Sequence, residues 1–135
     1  MNTRAAGLLD TSVFIAQESG RPLGDLPDQV AVSVVSIGEL QLGVLAAADD
    51  QSRARRADTL ALARSADPIP VSEPVMTTWA RLVADCRSAG IQRAVKLTDA
   101  LIAATAIEHG LPVITQDDDY NQMAQAHAAL SVVIV

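Results

Sequence analysis

An α/β fold on a central parallel sheet is what this sequence predicts, and three observations carry that prediction. Short runs rich in Val, Leu and Ile recur between longer segments with helical spacing. Strand-like and helix-like segments alternate along the whole chain, which means a parallel sheet of about four to five strands with helices on both faces. The 135 residues fit one domain, residues 1–135, large enough to bury roughly 68% of its unfolded surface without staples.

Gly7 to Asp10 is the first strand, an apolar run closed by one carboxylate. Val13 to Glu18 is helical and ends near Gly20. Arg21 to Gln29 holds Pro22, Gly24 and Pro27 and is a loop or short helix. Val30 to Val35 is a Val-rich buried strand. Ser36 then caps a helix, with Glu39 three residues on in capping-box spacing. Ile37, Leu40, Gln41, Val44 and Leu45 follow at helical spacing until Asp49-Asp50. A further helix runs from Gln51 to Ser65. Asp67 to Val71 carries two prolines and is a short edge strand, because proline cannot donate to a ladder. Ser72-Glu73-Pro74 starts a helix with inward residues Val75, Trp79, Leu82, Val83 and Cys86, ending at Gly90. Leu97 to about His109 is a helix closed by Gly110, with Pro112 beyond. Its segment Ala100 to Ile107 is apolar on nearly every side, so it is a central, buried helix. Val113 to Thr115 is a strand, Asp117 to Tyr120 a polar turn, and Val132 to Val135 the last strand.

Composition narrows the function classes. Half of the residues are apolar, but Phe, Tyr and Trp occur once each, so the core is aliphatic and a base-stacking platform is not expected. Cys86 is the sole cysteine, which excludes an intramolecular disulfide and suits a reducing cytoplasm. Arg4 precedes an apolar run, but Asp10 interrupts it, so no signal peptide is expected. No apolar stretch approaches the roughly 20 residues of a membrane span. The net charge of −6 argues, taken alone, against nucleic-acid binding. That weakens if the acids gather around metal ions.

The acids do follow a pattern. Asp10 ends the first strand, Glu39 lies in the first turn after the second, and Asp117 follows Val113 to Thr115. Ligands of open α/β sheets bind outside the carboxyl ends of the strands. Asp99, in the first turn of the buried helix, joins them if that helix starts at the same rim. Two carboxylates ~4 Å apart cost about 4 kcal/mol at an effective dielectric of 20. Protonation or a cation relieves that cost. Oxygen ligands without nearby His or Cys suit Mg²⁺ or Mn²⁺ rather than Zn²⁺. Such ions activate water for attack on phosphorus, so the residues point to metal-dependent phosphoryl hydrolysis. Each acid also has an ordinary structural use. Glu39 completes a capping box, Asp99 favours a helix dipole, Asp117 to Asp119 form a solvated turn, and Asp10 caps a helix.

Four motifs in order resemble the PIN-domain ribonucleases, specifically the VapC-type toxins of bacterial toxin–antitoxin pairs. They are Leu8-Leu9-Asp10-Thr11-Ser12; Ser36-Ile37-Gly38-Glu39-Leu40 with Gly43; Leu97-Thr98-Asp99-Ala100-Leu101-Ile102-Ala103-Ala104-Thr105-Ala106; and Thr115-Gln116-Asp117-Asp118-Asp119-Tyr120. The resemblance covers almost the whole chain. It implies a Mg²⁺- or Mn²⁺-dependent endoribonuclease, a homodimer, and a small VapB-like antitoxin that neutralises it in a heterotetramer or larger assembly. It also implies an RNA substrate, tRNA being the family's usual one, and a cytoplasmic protein without membrane contact. Asp10, Glu39, Asp99 and Asp117 carry over as the acidic site, with Asp10, Asp99 and Asp117 as metal ligands and Glu39 and Asp119 as further candidates. Thr115 and Ser12 are auxiliary hydroxyls. Tyr120 stands where the family often has Phe.

The remaining candidates are weaker. Arg87, Arg93 and Lys96 cluster before Asp99 as phosphate contacts. Arg53, Arg56 and Arg64 share a helix face, either a solvated face, the preferred reading, or a contact for RNA or an acidic antitoxin segment, while Arg55 points away. Gly43 is four residues after Glu39, either for close approach of backbone, substrate or antitoxin, or for helix packing. An aspartyl phosphatase would need an acid where Ser12 stands. A phospho-acceptor domain would need an Asp after its third strand, and Asp67 is at the wrong end. The non-enzymatic alternative is a catalytically silent PIN-like partner-binding module.

Overall fold

The computed structural model describes residues 6–135; Arg4 lies outside them. Four strands form one parallel sheet: β1 (Ala6–Leu9), β2 (Gln29–Ala31), β3 (Val113–Thr115) and β4 (Val132–Ile134), in the order β2-β1-β3-β4. The helices are α1 (Thr11–Glu18), α2 (Val34–Leu45), α3 (Asp50–Arg64), α4 (Glu73–Ser88), α5 (Leu97–Glu108) and α6 (Asp119–Ala126).

Two cores lie on opposite faces of the sheet, because successive strand residues point to opposite sides. Leu8 and Val113 face Leu82, Cys86, Ile102, Ala103, Ala106 and Met123 of α4, α5 and α6. Their neighbours Leu9 and Ile114 face Val13, Phe14, Leu40 and Leu60 of α1, α2 and α3. The expected α/β architecture is therefore present, with four strands and α5 buried from Asp99 to Ala106 except Leu101. Ser72 caps α4 by accepting from the Val75 N–H, and Pro74 sits in its first turn. Gly110 closes α5 at φ 67°, a conformation glycine adopts without a Cβ clash.

The chain departs from the sequence-based expectation in four places. β2 stops at Ala31, and α2 begins at Val34 with Ser33 as its cap, accepting from the Val35 N–H. The Ser36 N–H is bound to the Ser33 carbonyl, so Ser36 and Glu39 form no capping box. The Val-rich run concealed the helix start because valine fits either state once Ser33 supplies a cap. Asp67 to Val71 forms a single bridge at Ile69, not a strand. Ile69 donates to Val32 and accepts from Val34, while its proline neighbours have no N–H to extend the ladder. The polar turn continues into α6, whose buried Tyr120 and Met123 lie one turn apart in an otherwise polar stretch. Finally, the arginine face of α3 is not simply solvated. Arg56 donates to the Gly43 carbonyl at 2.7 Å, Arg53 to that of Ala47 at 3.1 Å, and Arg64 to Gln41 at 3.4 Å. These bonds tie α3 to α2 and its C-terminal end.

The order β2-β1-β3-β4 makes the boundary between β1 and β3 the place where the chain reverses its direction of sheet growth. Diverging connections leave a crevice at the carboxyl ends of such strands. Asp10 and Asp117 follow those two strands.

Candidate active site

Asp10 leaves β1 with extended backbone and caps α1, accepting from the Ser12 N–H at 3.4 Å. It is 2% exposed, so both carboxylate oxygens need partners. Oδ2 accepts from Thr115 at 2.9 Å and Oδ1 from the Tyr120 hydroxyl at 2.8 Å. Hydroxyl bookkeeping fixes the direction of the chain behind Thr115. Thr115 has one proton, which goes to Asp10, so the Ser12 hydroxyl 3.1 Å away must donate to Thr115. Ser12 in turn accepts from the Gln116 N–H at 3.0 Å, and Thr115 accepts from the Asp117 N–H at 3.0 Å. The two auxiliary hydroxyls thus connect the ends of β1 and β3.

Asp10, Glu39, Asp99 and Asp117 line one pocket of about 160 Å³, with Ser12 and Lys96 also on its wall. Four acids from separate parts of the chain therefore meet at one rim. Glu39, in the second turn of α2, accepts from the Thr11 hydroxyl at 2.5 Å. Asp99 enters from the first turn of α5, which opens beside Lys96. Asp117 is exposed on the pocket wall; Asp119 lies in the first turn of α6 and is not on that wall. Arg87 does not reach the acids. It shares with Lys96 a neighbouring groove of about 450 Å³ that half-buried Trp79 also lines, and Arg93 is exposed in the short 3₁₀ turn Gln92–Ala94. Trp79, expected in the core, thus reaches the surface, and its buried indole N–H has no acceptor among the described residues.

The electrostatics are one-sided. Among the described residues, none of the four acids has a Lys, Arg or His within salt-bridge distance. Burial, reinforced by the charges of Asp10 and Glu39, pushes the Asp99 carboxyl up to about 6. Partial desolvation by the surrounding pocket wall, then the charges of Asp10 and Asp119, also raise Asp117, although its surface is exposed. Lys96 pulls both back without cancelling the effect. An all-oxygen donor set in a field this negative fits a hard divalent ion. Among the described residues no three acids already stand as a closed ligand cage. The fit is therefore to an ion such as Mg²⁺, which keeps several waters and needs only one or two direct carboxylates.

Sequence reasoning missed Tyr120. Its side chain is fully buried, and its hydroxyl is 2.8 Å from Asp10 Oδ1 and 3.4 Å from Asp99 Oδ1. The available signal was a hydroxyl-bearing aromatic three residues after Asp117, closing the fourth acidic motif. At Gly43 an added Cβ would meet nothing within 4 Å, so tight helix packing does not explain that glycine. It lines a second pocket together with Glu39.

Residues 7–126 match the PIN domain family. The chain is 73% identical over 100 residues to Ribonuclease VapC8 of Mycobacterium tuberculosis strain H37Rv, spanning 74% of this chain and 89% of that protein. It is 47% identical over 135 residues to Ribonuclease VapC5 of the same organism, spanning 98% of this chain and 96% of that protein. The crystal structure of VapBC-5 from Mycobacterium tuberculosis, a member of the VapBC family of toxin–antitoxin systems, superposes with a TM-score of 0.84 at 42% identity. That match covers 98% of this chain and 100% of the other.

Proposed function

The chain belongs to the PIN-domain family as a VapC-type ribonuclease toxin neutralised by a VapB-type antitoxin, and on that premise we propose that it cleaves RNA internally by metal-dependent water attack on a phosphodiester. The observation that carries the metal-dependent mechanism is the gathering of Asp10, Glu39, Asp99 and Asp117 on one pocket, with no cation paired to them among the described residues. We assign Asp10, Asp99 and Asp117 as the residues that hold Mg²⁺ or Mn²⁺, with Glu39 and Asp119 contributing to the field around it. When bound, that ion supplies neutralisation of the carboxylates and polarises water and phosphate oxygens.

The chain's own residues do the rest. Ser12 and Thr115 hold Asp10 in one orientation through the relay above. Glu39 has Oε1 taken by Thr11 and lines the pocket, so its other carboxylate oxygen is the one that would accept a proton from the attacking water. The water oxygen bonds to phosphorus, the bond from phosphorus to the leaving sugar oxygen breaks, the water proton passes to a carboxylate, and the leaving oxygen takes up a proton from solvent, giving one phosphate monoester end and one hydroxyl end. Lys96 is on both the acidic pocket and the adjoining groove, so it is suited to take a phosphate as the strand passes toward Arg87. Arg93 would add a contact farther along. The acidic net charge is compatible with this reading because it is partly concentrated at a rim that an ion neutralises. Structured RNA, with tRNA first, is the proposed substrate.

A homodimer, joined by antitoxin into a heterotetramer or larger assembly, is the proposed state in the cytoplasm; light scattering of the chain with and without antitoxin measures it. Among the described residues no helix is long and apolar enough to cross a membrane. The test of activity is cleavage of several structured RNAs by antitoxin-free protein with Mg²⁺ or Mn²⁺, beside Asp99→Asn. Cleavage that needs the ion and falls at least about 100-fold in the variant supports the mechanism. Activity no higher than that of the variant with every RNA and both ions would sink it.

A further inference from the structure

Tyr120 is joined to the acidic site by geometry that its place in the sequence does not show. The ring is fully buried on α6 beside Met123, in the core shared with α4 and α5. Its hydroxyl emerges from that core between two carboxylates, 2.8 Å from Asp10 Oδ1 and 3.4 Å from Asp99 Oδ1. A phenol has one proton, and the shorter contact takes it, so Asp10 is the acceptor. Asp10 is thereby held by three separate groups: the α1 backbone, Thr115 of β3 and Tyr120 of α6. A phenylalanine would fill the same core volume and leave Oδ1 without this donor.

The choice of donor matters chemically. A phenol ordinarily titrates at about 10, so it is a neutral donor at physiological pH. An Arg or Lys in this position would pair with Asp10 and neutralise the cluster from within. A neutral hydroxyl orients the carboxylate and leaves its full charge for a bound cation. A carboxylate oxygen has lone pairs to spare after one such bond, so orientation and ligation are compatible. Partners of this kind typically change metal affinity about 10–100-fold when removed.

We propose that Tyr120 is a positioning residue whose hydroxyl fixes the Asp10 carboxylate beside Asp99 in the orientation that receives the divalent ion. This rests on the metal-dependent nuclease reading, and the two are separable by experiment. Mn²⁺ binding to the full chain is measured by calorimetry for wild type, Tyr120→Phe, Tyr120→Leu and Asp10→Ala. The expected result is about 10–100-fold weaker binding for Tyr120→Phe, with the metal concentration for half-maximal RNA cleavage rising in parallel and cleavage recovering toward wild type at saturating Mn²⁺. Wild-type affinity in Tyr120→Phe, with a loss only in Tyr120→Leu, would assign the effect to ring packing and overturn the proposal.

A second measurement does not depend on the fold tolerating a substitution. Tyr120 is the chain's only tyrosine, so 3-fluorotyrosine labels it uniquely. Titration with diamagnetic Mg²⁺ should move its ¹⁹F resonance along the Mg²⁺ calorimetric binding curve, and a resonance that stays fixed while Mg²⁺ binds overturns the proposal. If wild type binds neither Mg²⁺ nor Mn²⁺ and Asp10→Ala cleaves RNA as well as wild type, the metal-dependent reading fails and takes this one with it.

Discussion

Glu18, Asp50 and Asp85 each face a cationic or titratable partner: Arg55 at 3.9 Å, Arg53 at 3.4 Å and His127 at 2.7 Å. Among the described residues, Asp10, Glu39, Asp99 and Asp117 have no such partner. On the outer helices, water screens the charge and a nearby arginine adds little. At the mouth of the sheet, Asp10 and Asp99 are buried, and the Asp10 charge is held by neutral hydroxyls and backbone. Those hydrogen bonds orient the Asp10 carboxylate without cancelling it. The contrast separates acids that decorate a surface from acids kept in a shared unbalanced field, and it is that imbalance a divalent ion would relieve.

The strongest way to break the contrast is Asp10→Ala. It removes the acceptor of both Thr115 and Tyr120, so RNA cleavage should fall at least about 100-fold. Leaving buried donors unpaired should also cost about 1–3 kcal/mol in urea unfolding. Undiminished cleavage would mean that the rim acids are as dispensable as those on the outer helices.

The next effect is a pH dependence. The Asp99 carboxyl is raised from 3.8 to about 6 in the folded protein. Between about pH 4 and pH 6 the folded state therefore holds a proton that the unfolded state has lost, so stability falls as pH rises. This contribution is complete below that window and gone above about pH 6. In ion-free protein, Asp99→Asn should flatten this part of the profile and raise stability at neutral pH by on the order of 2 kcal/mol. A divalent ion at about 100 times its Kd should stabilise wild type by about 2.7 kcal/mol and the Asn variant less. A variant with the same pH profile as wild type would show that Asp99 is not the strained acid.

Smaller effects belong to the outer helices. Arg56→Ala loses the bond to the Gly43 carbonyl and should cost about 1 kcal/mol in chemical denaturation, with ion affinity unchanged. Asp50→Ala, at an exposed pair, should leave the melting temperature unchanged within error. A clear loss there would erase the distinction between the two groups of acids.

Much of this was legible in the chain alone. Aliphatic runs alternating with helical spacing identified the parallel sheet, since each strand must return to the same end through a helix. That return puts residues after successive strands at one rim, so Asp10 and Asp117 were placed by chain order. Ser72-Glu73-Pro74 and Gly110 were readable because capping is a property of the local backbone. The start of α2 and the existence of α6 were less so, because Val34 and the polar run around Tyr120 fit more than one local state.

By itself, the sequence determined the fold class, the four acidic motifs and the arrival of Asp10, Glu39 and Asp117 near one end of the sheet; that Asp99 joins them was decided by where α5 starts in the fold. The tertiary structure decided which partner each acid has. Thr115 and Tyr120 reach Asp10 across 105 and 110 residues, and Glu39, on a helix that starts at Val34 and not at Ser36, is bonded by Thr11. These contacts depend on the strand order β2-β1-β3-β4 and on the rotation of α2 and α6 about their axes. Local periodicity fixes which face of a helix is apolar, but packing against the rest of the chain sets where its few polar atoms point.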